Sequence, residues 1–407
     1  MANESLHLRE QRISESKVRD VFTPSSTIKL ETFLVGRDAE LRRIVGHLST
    51  PGGHVVIFGD RGVGKSSLAN VVAQHFVERF GKENVFRHRC SPRDRFVDIL
   101  AMPLMATGIQ VDTTEISGAH EQSGKAEIGV VVAKADISSK RTSTEKKVPS
   151  HVASLPSWVV RTIGTRRALL VIDEVDLLNE QTVVSDLAVL IKHLSDDDSP
   201  FKLCLVGVAR TVGDLLAGHA SALRSLTELK LRRLNDGELR EIIQDGANRL
   251  SLRFSDEVVS EIVNVSTGYP YFTHLIALKC AEEAISEKRL RIDPSHIHIA
   301  LKLAAENAES SLRINYFEAI NSQQDSLAAQ LLQASVRCRE NEFNVHEMWK
   351  HFQFLFPGRA WDAGVETCLR ELIRGESRIL QHLKKNVLCF SDPRMPSYIS
   401  LIQRVAV

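Results

Sequence analysis

HVVIFGDRGVGKSSLANVVAQHF, His54 to Phe76, decides how this chain folds. Val55 to Phe58 form an apolar, β-prone run that predicts a buried strand; Gly59 to Gly64 cannot continue it. From Lys65 onward, Leu68, Val71, Val72 and Phe76 recur at helical spacing, so the stretch reads as strand, glycine loop, helix. The loop spells GxxxxGKS from Gly59 to Ser66. Glycines let backbone N–H groups turn inward around phosphate oxygens, a lysine reaches the β- and γ-phosphates, and a serine hydroxyl ligates Mg2+. Gly59, Asp60, Arg61, Gly62, Val63, Gly64, Lys65, Ser66 and Ser67 are therefore the candidates for holding a nucleoside triphosphate, with Ser66 also a metal ligand.

A second apolar strand, ALLVIDEVD, runs from Ala168 to Asp176. It delivers Asp173 and Glu174 to its C-terminal end, the edge where ligands sit in doubly wound sheets. Asp173 is placed to hold Mg2+ through water and Glu174 to polarise the attacking water, because phosphoryl transfer needs a metal clamp and an oriented nucleophile. Asp176 reads as the cap of the next helix.

Upstream, FLVGRDAELRRIVGHL contains an amphipathic helix with Asp38 as its cap and Leu41, Ile44 and Leu48 on the buried side. Beside a phosphate loop, Gly36-Arg37-x-x-Glu40 resembles the box that opens ATPase domains of the origin-initiator and STAND (signal-transduction ATPase) branches of the AAA+ superfamily. That resemblance implies an ATP site in which Val35, Gly36 and Arg37 lie over the adenine. It extends to three further strings. VGVART, ending a strand over Lys202 to Val208, is similar to the STAND sensor segment and makes Arg210 a γ-phosphate sensor. GHASALRSL resembles a GHxSxxR string, with Arg224 as an arginine finger for a neighbouring subunit. Gly268-Tyr269-Pro270 resembles the motif whose proline, here Pro270, packs against adenine; Tyr271 stands where initiators usually carry a sensor arginine, a departure that favours STAND.

The fold expected is α/β: a P-loop NTPase of AAA+ type with a five-stranded parallel sheet and a helical lid, followed by a winged-helix domain. The boundaries expected are a partly flexible N-terminal segment over 1–30, a core over 31–234, a lid over 235–315 and a winged helix over 316–407. Val18, Phe22 and Pro24 supply an apolar anchor in the N-terminal segment. A second strand is expected over Asn84 to Arg89 and a helix from about Pro92 to Met105. Residues 108–150 form an insertion, read either as a solvated loop or as a partner-contacting hairpin arm around Ile128 to Ile137. Asn235 and Ser255 cap lid helices. In the C-terminal region, helices are expected over Leu327–Val336, His346–Phe354 and Trp361–Ile373. The last buries Trp361, Val365, Cys368, Leu369, Leu372 and Ile373, and strands Ile379–Leu383 and Val387–Phe390 follow. The closing Phe390, Asp392, Pro393, Tyr398 and Ile399 resemble the F-x-D-P…Y-I string of both families.

Across 407 residues, 52 Lys+Arg against 51 Asp+Glu leave a net charge of +1, so bulk charge selects no polyanionic partner. The outer face of the Trp361–Ile373 helix mixes Arg370 and Arg374 with Asp362, Glu366 and Glu371, and Lys384 and Lys385 sit at the wing tip. DNA is therefore the less favoured partner of this domain. Six cysteines without a CxxC pair read as buried thiols of a reducing compartment. The polar N-terminus and the lack of any long apolar run lead us to expect a cytoplasmic protein with no membrane partner. The reading reached is a Mg2+-dependent ATPase that binds ATP and ADP, hydrolyses slowly and switches between states as a homo-oligomer, with an effector or sensor protein supplied in trans. The alternative is a DNA-associated AAA+ ATPase, initiator-like or transposition-regulator-like, acting through the winged helix.

Overall fold

The computed structural model describes residues 15–24, 26–28, 31, 34–112, 146–209, 212–215, 224, 226–320, 326–338, 342–375, 378–384 and 386–405. The chain divides into two compact units. One comprises Ala39–Phe58 and Ala69–Lys230; the other comprises Met1–Asp38, Gly59–Leu68 and Leu231–Val407. The phosphate loop thus groups with the N-terminal segment and the C-terminal half.

The first unit is built on a parallel sheet of β1 (His54–Gly59), β2 (Val85–Arg89), β3 (Ala168–Asp173), β4 (Phe201–Val208) and β5 (Leu226–Lys230). Their order across the sheet is β2-β3-β4-β1-β5. Every residue of β1 is buried, as are the first five of β3 and the first seven of β4, which is why these strands read as unbroken apolar runs. Because the strands are parallel, the C-terminal ends of β1 and β3 lie on one edge of the sheet, one strand apart. That edge carries Asp173. Helix Gln181–Asp196 covers the sheet with Val183, Val184, Leu187, Leu190, Ile191 and Leu194.

Two local readings give way here. The stretch expected as one helix to Met105 is two short helices, Phe96–Ile99 and Ala101–Met105, separated at Leu100. Asp94 closes the preceding turn by accepting from Ser91, competing with helix nucleation at Pro92. Asp176 does not cap the Gln181 helix; its Oδ1 accepts the Val208 N–H at 2.7 Å and ties the turn after β3 to the end of β4. Ile109–Asp112 and Lys146–Pro149 pair as a short parallel ladder. The run Ile128–Ile137 lies outside the described residues.

In the second unit, helix Glu15–Val21 leads into Phe22, 1% exposed, whose ring meets Phe254 and His274 edge-on at 6.2 Å each. A Cβ on Gly246 would lie 2.4 Å from that ring, so the helix it belongs to must be bare at this point. The apolar anchor therefore docks on helices. Four of them follow one another: Asp236–Leu250, Asp256–Ser266, Pro270–Ser286 and Pro294–Asn307. Asn235 caps the first in a reciprocal box with Glu238, and Ser255 caps the second through the Val258 N–H, as the sequence predicts.

After a further helix, Ser310–Ala319, come helices Leu327–Val336, Val345–Leu355 and Ala363–Arg374 with a three-stranded antiparallel sheet. Its strands are β6 (Glu342–Asn344), β7 (Leu380–Lys384) and β8 (Val387–Phe390), in the order β6-β8-β7. The sequence predicted β7 and β8 but not β6, which is too short to show an alternation. Trp361 is not in the buried stripe. At 37% exposure it precedes the helix, stands edge-on against Trp349 at 4.9 Å and donates its indole N–H to Glu366 at 3.0 Å. Val365, Leu369 and Leu372 are buried as expected.

Candidate nucleotide site

The loop after β1 adopts the backbone that its glycines permit. Gly59, Gly62 and Gly64 have φ of 141°, 82° and 97°, values an L side chain rarely takes. A Cβ on Gly59 would also stand 2.6 Å from the Leu231 carbonyl oxygen. Lys65 opens the following helix, Lys65–Phe80, and is 7% exposed. Its Nζ donates to the Gly59 and Asp60 carbonyls at 3.0 and 2.7 Å. The ammonium is thus folded back along its own loop, satisfied by two oxygens that a phosphate could replace. Ser67 Oγ accepts the Ile28 N–H at 3.1 Å, which commits this hydroxyl to the N-terminal segment.

Around the loop stand residues of the same unit. Arg37, 2% exposed, donates to the Val63 carbonyl at 3.2 Å and the Arg232 carbonyl at 2.5 Å. Its guanidinium thereby braces the phosphate loop. Gly36, at φ 68°, lets the chain pass Glu238, whose side chain would be 2.7 Å from a Cβ there. Arg232 in turn pairs with Glu238 at 2.6 and 2.7 Å, holding that carboxylate below its ordinary range. Pro270 occupies the first turn of its helix, where a missing N–H costs nothing.

The sequence reading passed over four residues that the fold brings to the loop. Tyr269, fully buried, donates its hydroxyl to Asp60 at 3.3 Å, and Arg233 lies 4.3 Å over its ring and 3.6 Å from the same carboxylate. Arg394 lies against Gly62, where a Cβ would meet its Cδ at 2.8 Å. It grips Asp392 at 2.7 Å and Glu309 at 2.5 Å, and Glu309 also takes Arg61 at 3.1 Å. The hydrogen bond from Arg394 holds Glu309 far down, to about 2. Signals existed for three of them: Tyr269 stands inside the GYP string, Arg233 follows a strand end, and Arg394 follows the quoted Asp392-Pro393 pair. Nothing local marked Glu309.

On the sheet unit, Asp173 Oδ1 accepts the Glu174 N–H at 2.9 Å, and Glu174 sits at φ 57°, a left-handed conformation that costs a non-glycine residue free energy. Its carboxylate is clasped by Arg89, from the end of β2, at 2.7 and 2.5 Å. Sequence reading had no means to find that pair, since the two residues meet only through the β2–β3 register that sets Arg89 beside Asp173. Arg224 is exposed in a turn ahead of β5, and Arg210 lies outside the described residues. No helix among the described residues is long and apolar enough to cross a membrane.

Residues 34–206 match the family model of an AAA ATPase domain. No curated relative matches the chain. Among solved structures, the chain resembles the ORC2 protein of Aeropyrum pernix, solved in ADPNP and ADP complexes. That match has TM-score 0.53 and 15% identity over 95% of this chain and 97% of that one. A Walker-type ATPase of Pyrococcus abyssi matches with TM-score 0.50 and 14% identity over 93% and 99%. The fold is that of an AAA+ P-loop NTPase: a five-stranded parallel sheet with helices.

Proposed function

We propose that this chain is a Mg2+-dependent ATPase of AAA+ type that uses nucleotide state as a switch. The observation that carries the reading is the loop itself: three glycines at positive φ and a buried lysine whose ammonium rests on two loop carbonyls. A triphosphate gives those groups better partners, since backbone N–H groups and a helix N-terminus favour anions. Lys65 would reach the β- and γ-phosphates, and Glu174 would orient the attacking water once released from Arg89. Ser66 and Asp173 offer a hydroxyl and a carboxylate, hard oxygen donors that suit Mg2+, which when bound supplies charge neutralisation between the phosphates. Arg210 and Arg224 remain proposals for sensing and for completing a neighbour's site, in keeping with a homo-oligomer, and Pro270, Val35, Gly36 and Arg37 for the adenine.

The switch reading rests on what the loop touches. Asp60, Arg61 and Val63 are held by Tyr269 and Arg233, by Glu309 and by Arg37. A bound phosphate competes with those ties, and ATP and ADP compete differently, the differential contact that a two-state change requires. The STAND resemblance and an effector in trans are consistent with it.

A second reading is a DNA-associated ATPase, initiator-like or transposition-regulator-like, in which the three C-terminal helices and the antiparallel sheet β6–β8 serve as a winged helix. In mass photometry, Glu174→Gln is expected to keep ATP and assemble, with turnover down at least about a hundredfold, while Lys65→Ala loses nucleotide. Unchanged turnover in Glu174→Gln would remove the assigned base. Assembly with ATP alone supports the switch; assembly only on duplex DNA, weakening steeply with salt, supports the second reading.

A further inference from the structure

At the end of β2 the chain presents His88, Cys90 and Asp94 to one another. Residues two apart on a strand share a face, so His88 and Cys90 point the same way while Arg89 between them points to the other. The turn from Ser91 to Asp94 then brings a carboxylate back over that face. One ligating atom from each, imidazole nitrogen, thiol sulfur and carboxylate oxygen, lies within 4.8 Å of the other two. Asp94 is already aimed: Ser91 Oγ donates to its Oδ1 at 2.6 Å, and the Ser91 N–H to its Oδ2 at 2.9 Å. His88 Nε2 stands 2.7 Å from the same Oδ2.

We propose that His88, Cys90 and Asp94 form a three-ligand site for a borderline divalent cation of the Zn2+ class. A nitrogen, a sulfur and an oxygen make a donor set that hard Mg2+ or Ca2+ does not select and that Zn2+ does. Thiolate and carboxylate together neutralise a dication, so the occupied site carries no net charge into the apolar packing around Cys90. Solvent reaches it on one side only: the His88 and Asp94 side chains are 22% and 17% exposed, and Cys90 is 3% exposed against the core. A hydrogen bond joins His88 and Asp94, and the Cys90 thiol lies beside them on the core side. Binding the dication displaces the thiol proton, because the thiolate is the ligating form. Occupancy would stiffen the strand end that offers Arg89 to Glu174.

A second group, Cys338, Glu347 and His351, also lies within 4.8 Å and serves as the internal control. The test is Co2+ titration of the full reduced chain after chelator treatment. One equivalent is expected to give a thiolate-to-cobalt charge-transfer band that survives Cys338→Ser, vanishes in Cys90→Ser and is displaced by Zn2+ but not by excess Mg2+. Asp94→Asn, which keeps shape and leaves Cys90 in place, is expected to keep the band while weakening affinity about tenfold or more, and covers the case in which Cys90→Ser does not fold. No band in the wild type, a band untouched by Cys90→Ser, or Asp94→Asn binding as tightly as wild type overturns the site.

Discussion

The guanidinium of Arg89 clasps the carboxylate of Glu174 through two hydrogen bonds, Nε to Oε2 at 2.7 Å and Nη2 to Oε1 at 2.5 Å. A carboxylate so held is turned away from the work of orienting water. Arg89 is 76% exposed, so solvent screening keeps the clasp to about 1 kcal/mol or less. Arg89→Ala is expected to raise steady-state ATPase turnover by up to about fivefold, with the gain shrinking at high salt. A fall in turnover would show that Arg89 assists the reaction instead.

Gly62 and Gly64 separate two costs. Both sit at positive φ, so alanine at either strains the loop by about 1–2 kcal/mol. Only at Gly62 does a Cβ also meet Arg394, at 2.8 Å; at Gly64 it meets nothing within 4 Å. Denaturant titration is expected to find Gly62→Ala the less stable of the two.

Arg394 is 4% exposed and neutralises Asp392 and Glu309 together. Arg394→Met leaves two carboxylates without their shared cation and is expected to cost about 3–5 kcal/mol in urea unfolding. Arg394→Lys should recover only part, since an ammonium cannot make the paired contacts of a guanidinium. The acid limb supplies a second readout. Glu309 is depressed to about 2 by Arg394, so its contribution is present above the ordinary value of 4.5 and is lost as pH falls toward 2. Arg394→Met should flatten that limb.

His274 and His54 are buried and neutral. His274 accepts the Thr23 N–H at 3.3 Å, and burial lowers it to about 4; His54 accepts the Leu203 N–H at 3.1 Å and is lowered to about 3, by burial first and then Lys202. With folded values below the unfolded 6.5, protonation favours unfolding. Stability is therefore full above pH 6.5 and falls with pH down to those lowered values, by about 2 kcal/mol for each histidine between pH 8 and pH 5. His274→Asn, which retains an acceptor near the Nδ1 position, is expected to remove about half of that slope in chemical denaturation. An unchanged slope would mean that His274 is not the titrating group.

Much of this architecture was legible because it rests on short-range chemistry. Val55 to Phe58 and Ala168 to Ile172 are apolar on both faces, and only strands inside a covered parallel sheet need that pattern. The glycines of the loop and the caps Asn235 and Ser255 act on backbone groups within a few residues, so their positions could be read directly. Where two local preferences competed, reading failed: the Ser91–Asp94 turn displaced the start of a helix, and Asp176 found the Val208 N–H in place of a helix end.

Sequence alone determined a phosphate loop between a buried strand and a helix, an acidic strand end, and a parallel α/β sheet, because each follows from residue type at fixed spacing. Tertiary structure alone decided what those groups touch. Arg89 reaches Glu174 across 85 positions, Arg394 reaches Glu309 across 85, and Tyr269 reaches Asp60 across 209. A charged or aromatic side chain carries no mark of its distant partner; strand register and helix packing choose it. His88, Cys90 and Asp94 meet by a shorter route, the strand end and the Ser91–Asp94 turn, and only the folded turn shows that their ligating atoms lie together.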